Sequence, residues 1–230
     1  MQIPELTDWP RDAKAAIALQ HQLAPQIITT DRLGEIATVA GVDVGFEDSG
    51  ATTRAAVVLL SFPDLALIEM AIARSPTGFP YIPGLLSFRE VPTVLKAFQQ
   101  LKTDPDLILC DGQGIAHPRR FGIASHLGLL LDKPTIGVGK SRLVGTHEPV
   151  PEAKGAWVPL MDRGDRIGAV LRSRSNTQPL FISTGHRVSL ETAIAYVLRC
   201  TPKYRLPETT RLADRLASRR GPMPMPIPPG

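Results

Sequence analysis

Residues 106–138 read DLILCDGQGIAHPRRFGIASHLGLLLDKPTIGV, and this stretch decides the fold class. Short apolar runs at residues 106–110 and 134–138 have the length of buried strands. Between them, residues 118–131 have a helical pattern that opens with a proline, which suits a first helical position. A strand, a helix and a strand in this order form a right-handed crossover with parallel strands. We therefore expect an α/β core.

The segment before this unit has the pattern of one helix followed by three strands. Helical spacing covers residues 11–31, and the strand-like runs cover residues 35–46, 53–61 and 65–73. Turns rich in Asp, Ser, Gly and Pro separate the runs. We expect an antiparallel meander that ends at Pro76.

A helix is expected from Phe88 to about Leu101, where Ser87 and Glu90 match the capping-box pattern S-x-x-E. The remaining strands and helices are expected near residues 156–161, 167–171, 180–183, 189–200 and 207–218. Together the elements predict a single α/β domain, residues 1–220, with a mixed sheet flanked by helices. The Pro-rich residues 221–230 are expected to form a disordered or extended tail.

The composition is that of a soluble globular protein, with 43% hydrophobic and 21% charged residues among 230. A net charge of +4 permits nucleic-acid binding without establishing it. Cys110 and Cys200 have no metal-binding or redox spacing, which favours a reducing compartment. Neither a secretion signal nor a run of 18 apolar residues is present. We expect a cytoplasmic monomer that does not contact membranes.

Two aspartates lie in apolar strands, where a carboxylate is costly unless it has a partner. Asp43 is inside TVAGVDVGF, and Asp111 ends LILCD at a strand terminus where α/β sheets place ligands. If these strands are neighbours, the two carboxylates converge and offer hard oxygen ligands for Mg²⁺ or Mn²⁺. For either acid alone, a salt bridge or a helix cap is the competing explanation.

Two further acids have stronger structural explanations. Glu90 is already accounted for by the capping box. Asp214 lies among arginines in TTRLADRLAS, where an ion pair on a surface helix is the ordinary interpretation. Local pattern alone therefore does not assign either residue to a functional site.

The turn DGQGIAHPRR, residues 111–120, joins a strand to a helix and has the composition of a phosphate-binding loop. Backbone amides near Gly112 and Gly114 could bind phosphate, with Arg119 and Arg120 as cationic donors. The match to the dinucleotide fingerprint G-x-G-x-x-G is incomplete, because His and Pro stand where the third glycine belongs. A nucleic-acid backbone is the preferred source of the phosphate.

Three other side chains are candidates, each with a structural alternative. His117 could orient a phosphate or a water, or it could cap its turn. Lys140 follows a strand at the edge that carries Asp111, where it could neutralise a phosphate or be an ordinary solvated charge. Tyr81, between two prolines, suits a wedge that stacks on bases, or an anchor for its loop. His126, in an apolar helix, is expected to be a core residue.

Six motifs spread along the chain together resemble the endonuclease V family. They are GVDVGF, TRAAVVLL, PYIPGLLSFRE, DGQGIAHPRRFGIASHLGLLLDKPTIGVGK, STGHRVS and YRLPETTRLAD. The family patterns PYIPG-x-L-x-FRE and DG-x-G-x-x-HPR are both intact. The resemblance implies a ribonuclease-H-like fold and a Mg²⁺-dependent endonuclease, with Mn²⁺ expected to substitute. It implies cleavage of DNA at the second phosphodiester bond 3′ to deoxyinosine or another deaminated base.

The resemblance also implies roles for individual residues. Asp43, Glu90 and Asp111 match the acidic, metal-binding positions, and Asp214 matches a fourth catalytic position. Lys140 and His117 match a lysine and a histidine of the catalytic pocket. The implied substrate-binding residues are Tyr81 as the wedge, with Pro80, Ile82, Gly84, Gly112, Gly114 and Arg119.

Three alternatives remain open at this point. Single-stranded RNA containing inosine could be the substrate, since both backbones carry the same phosphate and only a 2′-hydroxyl contact would distinguish them. A non-catalytic binder of damaged nucleic acid would use the basic loop and the tyrosine, but would not need three acids. A dinucleotide-dependent enzyme would use the glycine-rich turn.

Overall fold

The two strands of the predicted crossover pair in parallel at the centre of an eight-stranded sheet. A computed structural model describes residues 2–227. Its strands are β1 (Thr38–Glu47), β2 (Thr52–Ser61), β3 (Leu67–Pro76), β4 (Leu107–Asp111), β5 (Thr135–Gly139), β6 (Trp157–Asp162), β7 (Asp165–Leu171) and β8 (Leu180–His186). Its α-helices are α1 (Ala13–Leu23), α2 (Leu86–Phe98), α3 (Ile123–Leu131), α4 (Leu190–Arg199) and α5 (Glu208–Ala217).

The strand order is β3-β2-β1-β4-β5-β8-β7-β6. The meander β1-β2-β3 is antiparallel, β4 joins β1 and β5 in parallel, and the remaining pairs are antiparallel. The predicted α/β class, the meander ending at Pro76 and the parallel pair are therefore confirmed. The C-terminal end of β4 lies beside the middle of β1, and this part of the sheet carries the candidate site.

Helices cover both faces of the sheet because side chains alternate along each strand. Val39 belongs to a core with α4 and α5, whereas its neighbour Ala40 belongs to a second core with α2 and α3. Parallel strands covered on both faces are near-continuously apolar, as β4 and β5 are. The two layers fix α2 and α5 on opposite sides of β1.

Three predicted helices have different limits. The first ends at Leu23 and passes into a 3-10 turn at Ala24–Gln26, because Pro25 has no amide hydrogen to continue the helix. The second begins at Leu86, so the predicted capping box is wrong. Its cap is Leu85, which makes no side-chain hydrogen bond, while Ser87 lies inside the helix with its hydroxyl 3.1 Å from Nδ1 of His126.

The third helix starts at Ile123 and not at Pro118. Ahead of it the backbone folds into tight turns, with the amide of His117 donating to Ile115 O and that of Arg120 to His117 O. Arg120 has a left-handed backbone, φ 56°, which no helix tolerates. The extra turns hold this loop over the sheet edge.

The remaining predictions on the chain as a whole have mixed outcomes. Residues 221–227 form no helix or strand, although the amide of Ile227 donates to Leu67 O at 2.7 Å. Disorder of the tail stays a prediction, and residues 228–230 lie outside the described part. Both cysteines are buried and free. Between residues 2 and 227, no helix has the length and apolarity needed to cross a bilayer.

Candidate active site

Asp43 and Asp111 are brought side by side, as the sequence predicts. Asp43 lies in the middle of β1 and Asp111 is the last residue of β4. The parallel register pairs Val42 with Cys110, so the next residue on each strand is one of the two acids. Both carboxylates therefore occupy the same edge of the sheet.

Asp214 joins them because α5 packs unusually close to β1. Gly41 and Gly45 flank Asp43 on the same face of the strand, and a Cβ at Gly41 would lie 2.1 Å from the carbonyl oxygen of Thr209. A Cβ at Gly45 would lie 3.0 Å from the carbonyl oxygen of Ala217. Only glycines allow the helix backbone this approach. Asp214 of α5 therefore lies over β1, although the local pattern had indicated an ion pair on a surface helix for this residue.

Carboxylate oxygens of Asp43, Asp111 and Asp214 lie within 4.8 Å of one another. The ammonium of Lys140 contacts the Asp111 carboxylate and lies 3.4 Å from Oδ1 of Asp214. Glu90, on α2, completes what we call the acid cluster: Asp43, Glu90, Asp111 and Asp214. Lys140 thus contacts two of the four carboxylates, and Arg220 makes a longer contact of 3.7 Å with Asp214.

Burial and mutual repulsion raise the pKa of Asp43, Glu90 and Asp111. Burial, followed by the charge of Asp111, raises the pKa of Asp43 to about 7. Burial, followed by Asp43 and Asp111, raises the pKa of Glu90 to about 8. Burial also raises the pKa of Asp111, although Lys140 opposes that shift. For Lys140, burial is outweighed by the hydrogen bond and charge of Asp111, so its pKa is raised as well.

The acid cluster fits a divalent cation by the chemistry of its donors. Its ligand atoms are carboxylate oxygens, which suit Mg²⁺ or Mn²⁺ and not a thiolate-seeking metal. Burial first, and the neighbouring carboxylates after it, disfavour the ionised forms, and a bound cation would favour them. The converging triad contains Asp214, whereas the resemblance implied Glu90 as the third metal ligand.

A cavity of about 250 Å³ opens directly beside these acids. Its wall includes Glu90 and Asp111 at one end and loop residues around the rest: Tyr81, Pro83, Gly84, Leu86, Ser87, Gly112, Gln113, His117, Gly122, Ile123, Ser141, Arg142 and Leu143. It is slightly smaller than the roughly 300–1,000 Å³ of pockets for drug-sized ligands. The cavity therefore offers space for a small ligand next to the carboxylates of Glu90 and Asp111.

The loop FPYIPG, residues 79–84, presents one aromatic ring to solvent and anchors itself by its neighbours. Phe79 is buried, and Ile82 packs against the core formed by α1 and α2. Tyr81 between them is 68% exposed, and Pro80 is exposed as well. Anchoring is thus carried by other residues, which favours the interpretation of Tyr81 as a group that meets a ligand.

Gly84 ends this loop and fixes it to the neighbouring one. Its φ of +77° is a conformation that favours glycine. Its carbonyl oxygen accepts hydrogen bonds from Nε2 of His117 at 3.0 Å and from the guanidinium of Arg119 at 2.8 Å. The other ring nitrogen of His117 accepts from the Arg119 amide at 3.2 Å. The structure therefore places His117 at a junction of loops, apart from the converging triad.

His117 is held neutral there. Burial, followed by the charge of Arg119, lowers the pKa of His117 to about 4. Its Nε2 must carry the hydrogen, because the Gly84 carbonyl can only accept. Both ring nitrogens are used within the protein, so the ring stiffens the cavity wall.

The glycine-rich turn forms a wall and not a phosphate cradle. The amide of Gly112 donates to Val138 O at 3.3 Å, and the amide of Gly114 donates to the hydroxyl of Ser183 at 2.9 Å. Arg120 pairs with Asp162 at 2.8 Å. The amides of Gly112 and Gly114 are therefore not free to bind phosphate, whereas the assignment of Gly112, Gly114 and Arg119 to substrate binding stays a prediction. The dinucleotide alternative loses its main support for the same reason.

Sequence reasoning missed two residues that hold this site together. Arg205 donates to the carbonyl of Lys140 at 3.0 Å and to that of Gln178 at 2.7 Å, which fixes the segment bearing the lysine. Gln20, on α1, is fully buried beneath the loop junction. A polar residue in line with buried Ala16 on a helix was the available signal, because such a position requires a partner.

The whole arrangement has a counterpart among known proteins. The sequence profile of the family described as Endonuclease V matches residues 21–215.

The chain belongs to the endonuclease V family.

An endonuclease V of Trichormus variabilis is 60% identical over 96% of this chain and 100% of its own. The crystal structure of the Streptomyces avermitilis endonuclease V has a TM-score of 0.88 and 45% identity, covering 94% of this chain and 95% of that one. The predicted family and enzyme class, an endonuclease, are confirmed.

Two further structures bear on fold and ligand. Ciona intestinalis endonuclease V, in complex with a DNA containing an inosine followed by a ribo-adenosine, has a TM-score of 0.79 and 29% identity, covering 90% of this chain and 96% of that one. An Aquifex aeolicus Argonaute has a TM-score of 0.52 and 14% identity over 85% of this chain and 30% of that one, a likeness of fold alone. The predicted ribonuclease-H-like sheet is confirmed.

Proposed function

We propose that this endonuclease V family member recognises deaminated bases in DNA, chiefly deoxyinosine, and hydrolyses the second phosphodiester bond 3′ to the lesion. The products are a nick with a 3′-hydroxyl and a 5′-phosphate. One observation carries the proposal: the acid cluster and a cavity of about 250 Å³ share a wall, with the exposed Tyr81 at its rim. Cutting and base recognition can therefore occur in a single encounter.

The acids and the lysine divide the work at the phosphate. Asp43, Asp111 and Asp214 would hold Mg²⁺, with Glu90 next to them. A metal held there would supply Lewis-acid chemistry, with polarised phosphate oxygens and a lowered pKa of the attacking water. Lys140 opposes the rise in the pKa of Asp111 and would present its ammonium to the negative charge of the attacked phosphate. The Mg²⁺ requirement, with Mn²⁺ as a substitute, follows from the all-oxygen donor set.

The loops divide the work at the base. When the deaminated base turns out of the duplex into the cavity, Tyr81 would stack on the neighbouring bases that remain in the duplex. Pro80 and Ile82 shape its loop, and Gly84 and Gly112 let backbone approach the base closely. Gly114 and Arg119 would support the cavity wall indirectly: the amide of Gly114 donates a hydrogen bond to Ser183, and Arg119 donates one to the carbonyl of Gly84.

A second candidate substrate is RNA containing inosine. The nucleic acid bound to the Ciona intestinalis protein carries a ribonucleotide directly after the inosine. A phosphodiester flanked by a ribose offers the acid cluster the same oxygens as one in DNA. The two substrates differ by the 2′-hydroxyl, which is both a donor and an acceptor.

The deciding experiment uses four matched oligonucleotides: DNA and RNA, each with inosine or with adenosine at one position. Each is incubated with Mg²⁺, with Mn²⁺ and with chelator, and the products are mapped at single-nucleotide resolution. The proposal expects the inosine DNA to be nicked at the second phosphodiester bond 3′ to the inosine, and only when metal is present. Cutting of inosine RNA alone moves the substrate to RNA, and no cutting of any strand refutes the catalytic proposal.

A non-catalytic binder is separated from an enzyme by Asp43→Ala. The endonuclease proposal expects this variant to bind inosine DNA while its cleavage is abolished. A pure binder has no cleavage to lose, so wild type and variant would then behave alike.

A further inference from the structure

The side-chain amide of Gln20 joins α1 to two segments that are distant in sequence, the loop that ends at Gly84 and the turn around residues 119–121. Its Nε2 donates to Gly84 O at 3.0 Å and to Phe121 O at 3.1 Å. Its Oε1 accepts a short hydrogen bond from Nε of Arg119. The partners fix the orientation of the amide, since a flipped group would turn its oxygen toward two carbonyls.

The Gly84 carbonyl is the centre of this network. It accepts from Gln20, His117 and Arg119. We call these four residues the loop clamp. The clamp ties the loop bearing Tyr81 to the turn that forms the opposite wall of the cavity, and α1 supplies its base.

We infer that Gln20 is a positioning residue for lesion recognition, which holds the Tyr81 loop and the 111–120 turn at the separation that a deaminated base requires. The inference rests on the proposed function and assigns it a residue outside the family motifs set out above. Gln20 touches neither the acid cluster nor the cavity. Its effect must therefore pass through Gly84 and Arg119.

The physical reason is the cost of breaking a buried, fully satisfied amide. Without Gln20, the fully buried carbonyl of Phe121 loses a donor, and the half-buried Arg119 loses the acceptor of its Nε. The loops must shift to recover them, and a displacement of about 1 Å in a recognition site can cost about 10²-fold in rate. The acids on β1, β4 and α5 stay where the sheet puts them.

The test compares Gln20→Met, which keeps size and removes every hydrogen bond, with Gln22→Met on the exposed face of the same helix. We expect Gln20→Met to lower kcat/KM on inosine DNA by roughly 10- to 100-fold, with an unchanged Mg²⁺ concentration for half-maximal rate. Amide hydrogen exchange in residues 79–84 should become at least about ten times faster. Gln22→Met should match wild type in every measurement.

A double-mutant cycle separates positioning from stability. If Gln20 acts through the Tyr81 loop, Gln20→Met should change kcat/KM by no more than about two-fold in a Tyr81→Ala background. Full additivity of the two losses overturns the inference. So does a Gln20→Met protein that is less stable but keeps wild-type kcat/KM per folded molecule and wild-type exchange in residues 79–84.

Two outcomes are kept distinct by the design. If wild type cuts no inosine strand, the proposed function fails, and the exchange measurement still decides whether Gln20 holds the loop. If Gln20→Met does not fold, Gln20→Glu replaces it, since it keeps the acceptor for Arg119 and loses both donated bonds. That variant is expected to show the same faster exchange, and unchanged exchange and rate overturn the inference.

Discussion

The acid cluster and the loop clamp adjoin the same cavity and are built in opposite ways. The acid cluster buries carboxylates beside one another, and burial, followed by their mutual repulsion, raises the pKa of Asp43 and Glu90. The loop clamp leaves no part of the Gln20 amide unpaired, and its histidine is neutral. A region with unbalanced charge is prepared for a cation, whereas a region with satisfied hydrogen bonds is prepared to keep a shape.

The largest expected effect comes from removing charge in the acid cluster. Asp43→Asn keeps the size of the side chain and removes its negative charge. The cleavage rate should fall by about 10³-fold, which is the upper end of the effect of removing one group that stabilises charge in a transition state. Single-turnover rates on inosine DNA measure this. The exposed Asp64→Asn is the matched control and should cut at the wild-type rate. Retained cleavage in Asp43→Asn would remove Asp43 from the catalytic machinery.

Removing the cation of the cluster should have the next largest effect. Lys140→Met leaves Asp111 without its ion pair and the phosphate without a neighbouring ammonium, so cleavage should fall by about 10²-fold. The pKa of Asp111 should rise further, which moves the acidic limb of the pH–rate profile to higher pH. Lys14→Met, on the exposed side of α1, controls for the loss of charge. An unshifted profile would mean that Lys140 does not set the ionisation of Asp111.

Changing the exposed ring should weaken binding more than chemistry. Tyr81→Ala removes a stacking surface worth about 1–3 kcal/mol per base, so affinity for inosine duplex should fall roughly ten-fold. Tyr81→Phe keeps the ring and should retain most of that affinity. Fluorescence anisotropy in an Asp43→Ala background, in which cleavage is expected to be abolished, measures binding by itself. Equal losses in both variants would assign the effect to the hydroxyl and not to stacking.

The smallest expected effect is on stability and sharpens the electrostatic side of the comparison. Asp43 and Glu90 have pKa values near 7 and 8, above the ordinary 3.8 and 4.5, so the folded state holds protons that the unfolded state has released. The free energy of unfolding in chelator should therefore fall as the pH rises from the ordinary pKa values, 3.8 and 4.5, through the raised values of about 7 and 8. Each kcal/mol lost should lower Tm by about 2–4 °C.

Mg²⁺ and Asp43→Asn should both weaken this pH dependence. Mg²⁺ binds the ionised carboxylates of the folded state, so its stabilising effect should be larger at pH 9 than at pH 6. Asp43→Asn removes one of the two carboxyl groups with a raised pKa, so the stability of this variant in chelator should depend less on pH. Thermal melts across pH with chelator or Mg²⁺ measure both effects. A wild-type Tm that does not fall with pH in chelator would contradict the raised pKa values.

Particular residues show how far sequence reasoning reached into the fold and the site. The convergence of Asp43 with Asp111 was predicted on the condition that their two apolar strands are neighbours, and the parallel pairing of β1 with β4 meets that condition. The structural role of Glu90 was mispredicted, because a serine three residues before it imitated a cap. The glycine-rich turn was mispredicted as a phosphate cradle, because the partners of its amides lie on β5 and β8, far along the chain.

The sequence by itself determined the alternation of elements, the family and the kinds of side chain available for chemistry. These follow from local periodicity and from motifs, which depend on neighbouring residues. Only the tertiary structure decided which acids converge, because Asp214 reaches Asp43 through the close approach of α5 to Gly41 and Gly45. It also decided the place of Gln20, whose partners lie 64 to 101 residues away. Contacts between distant segments depend on packing, and local patterns carry little information about packing.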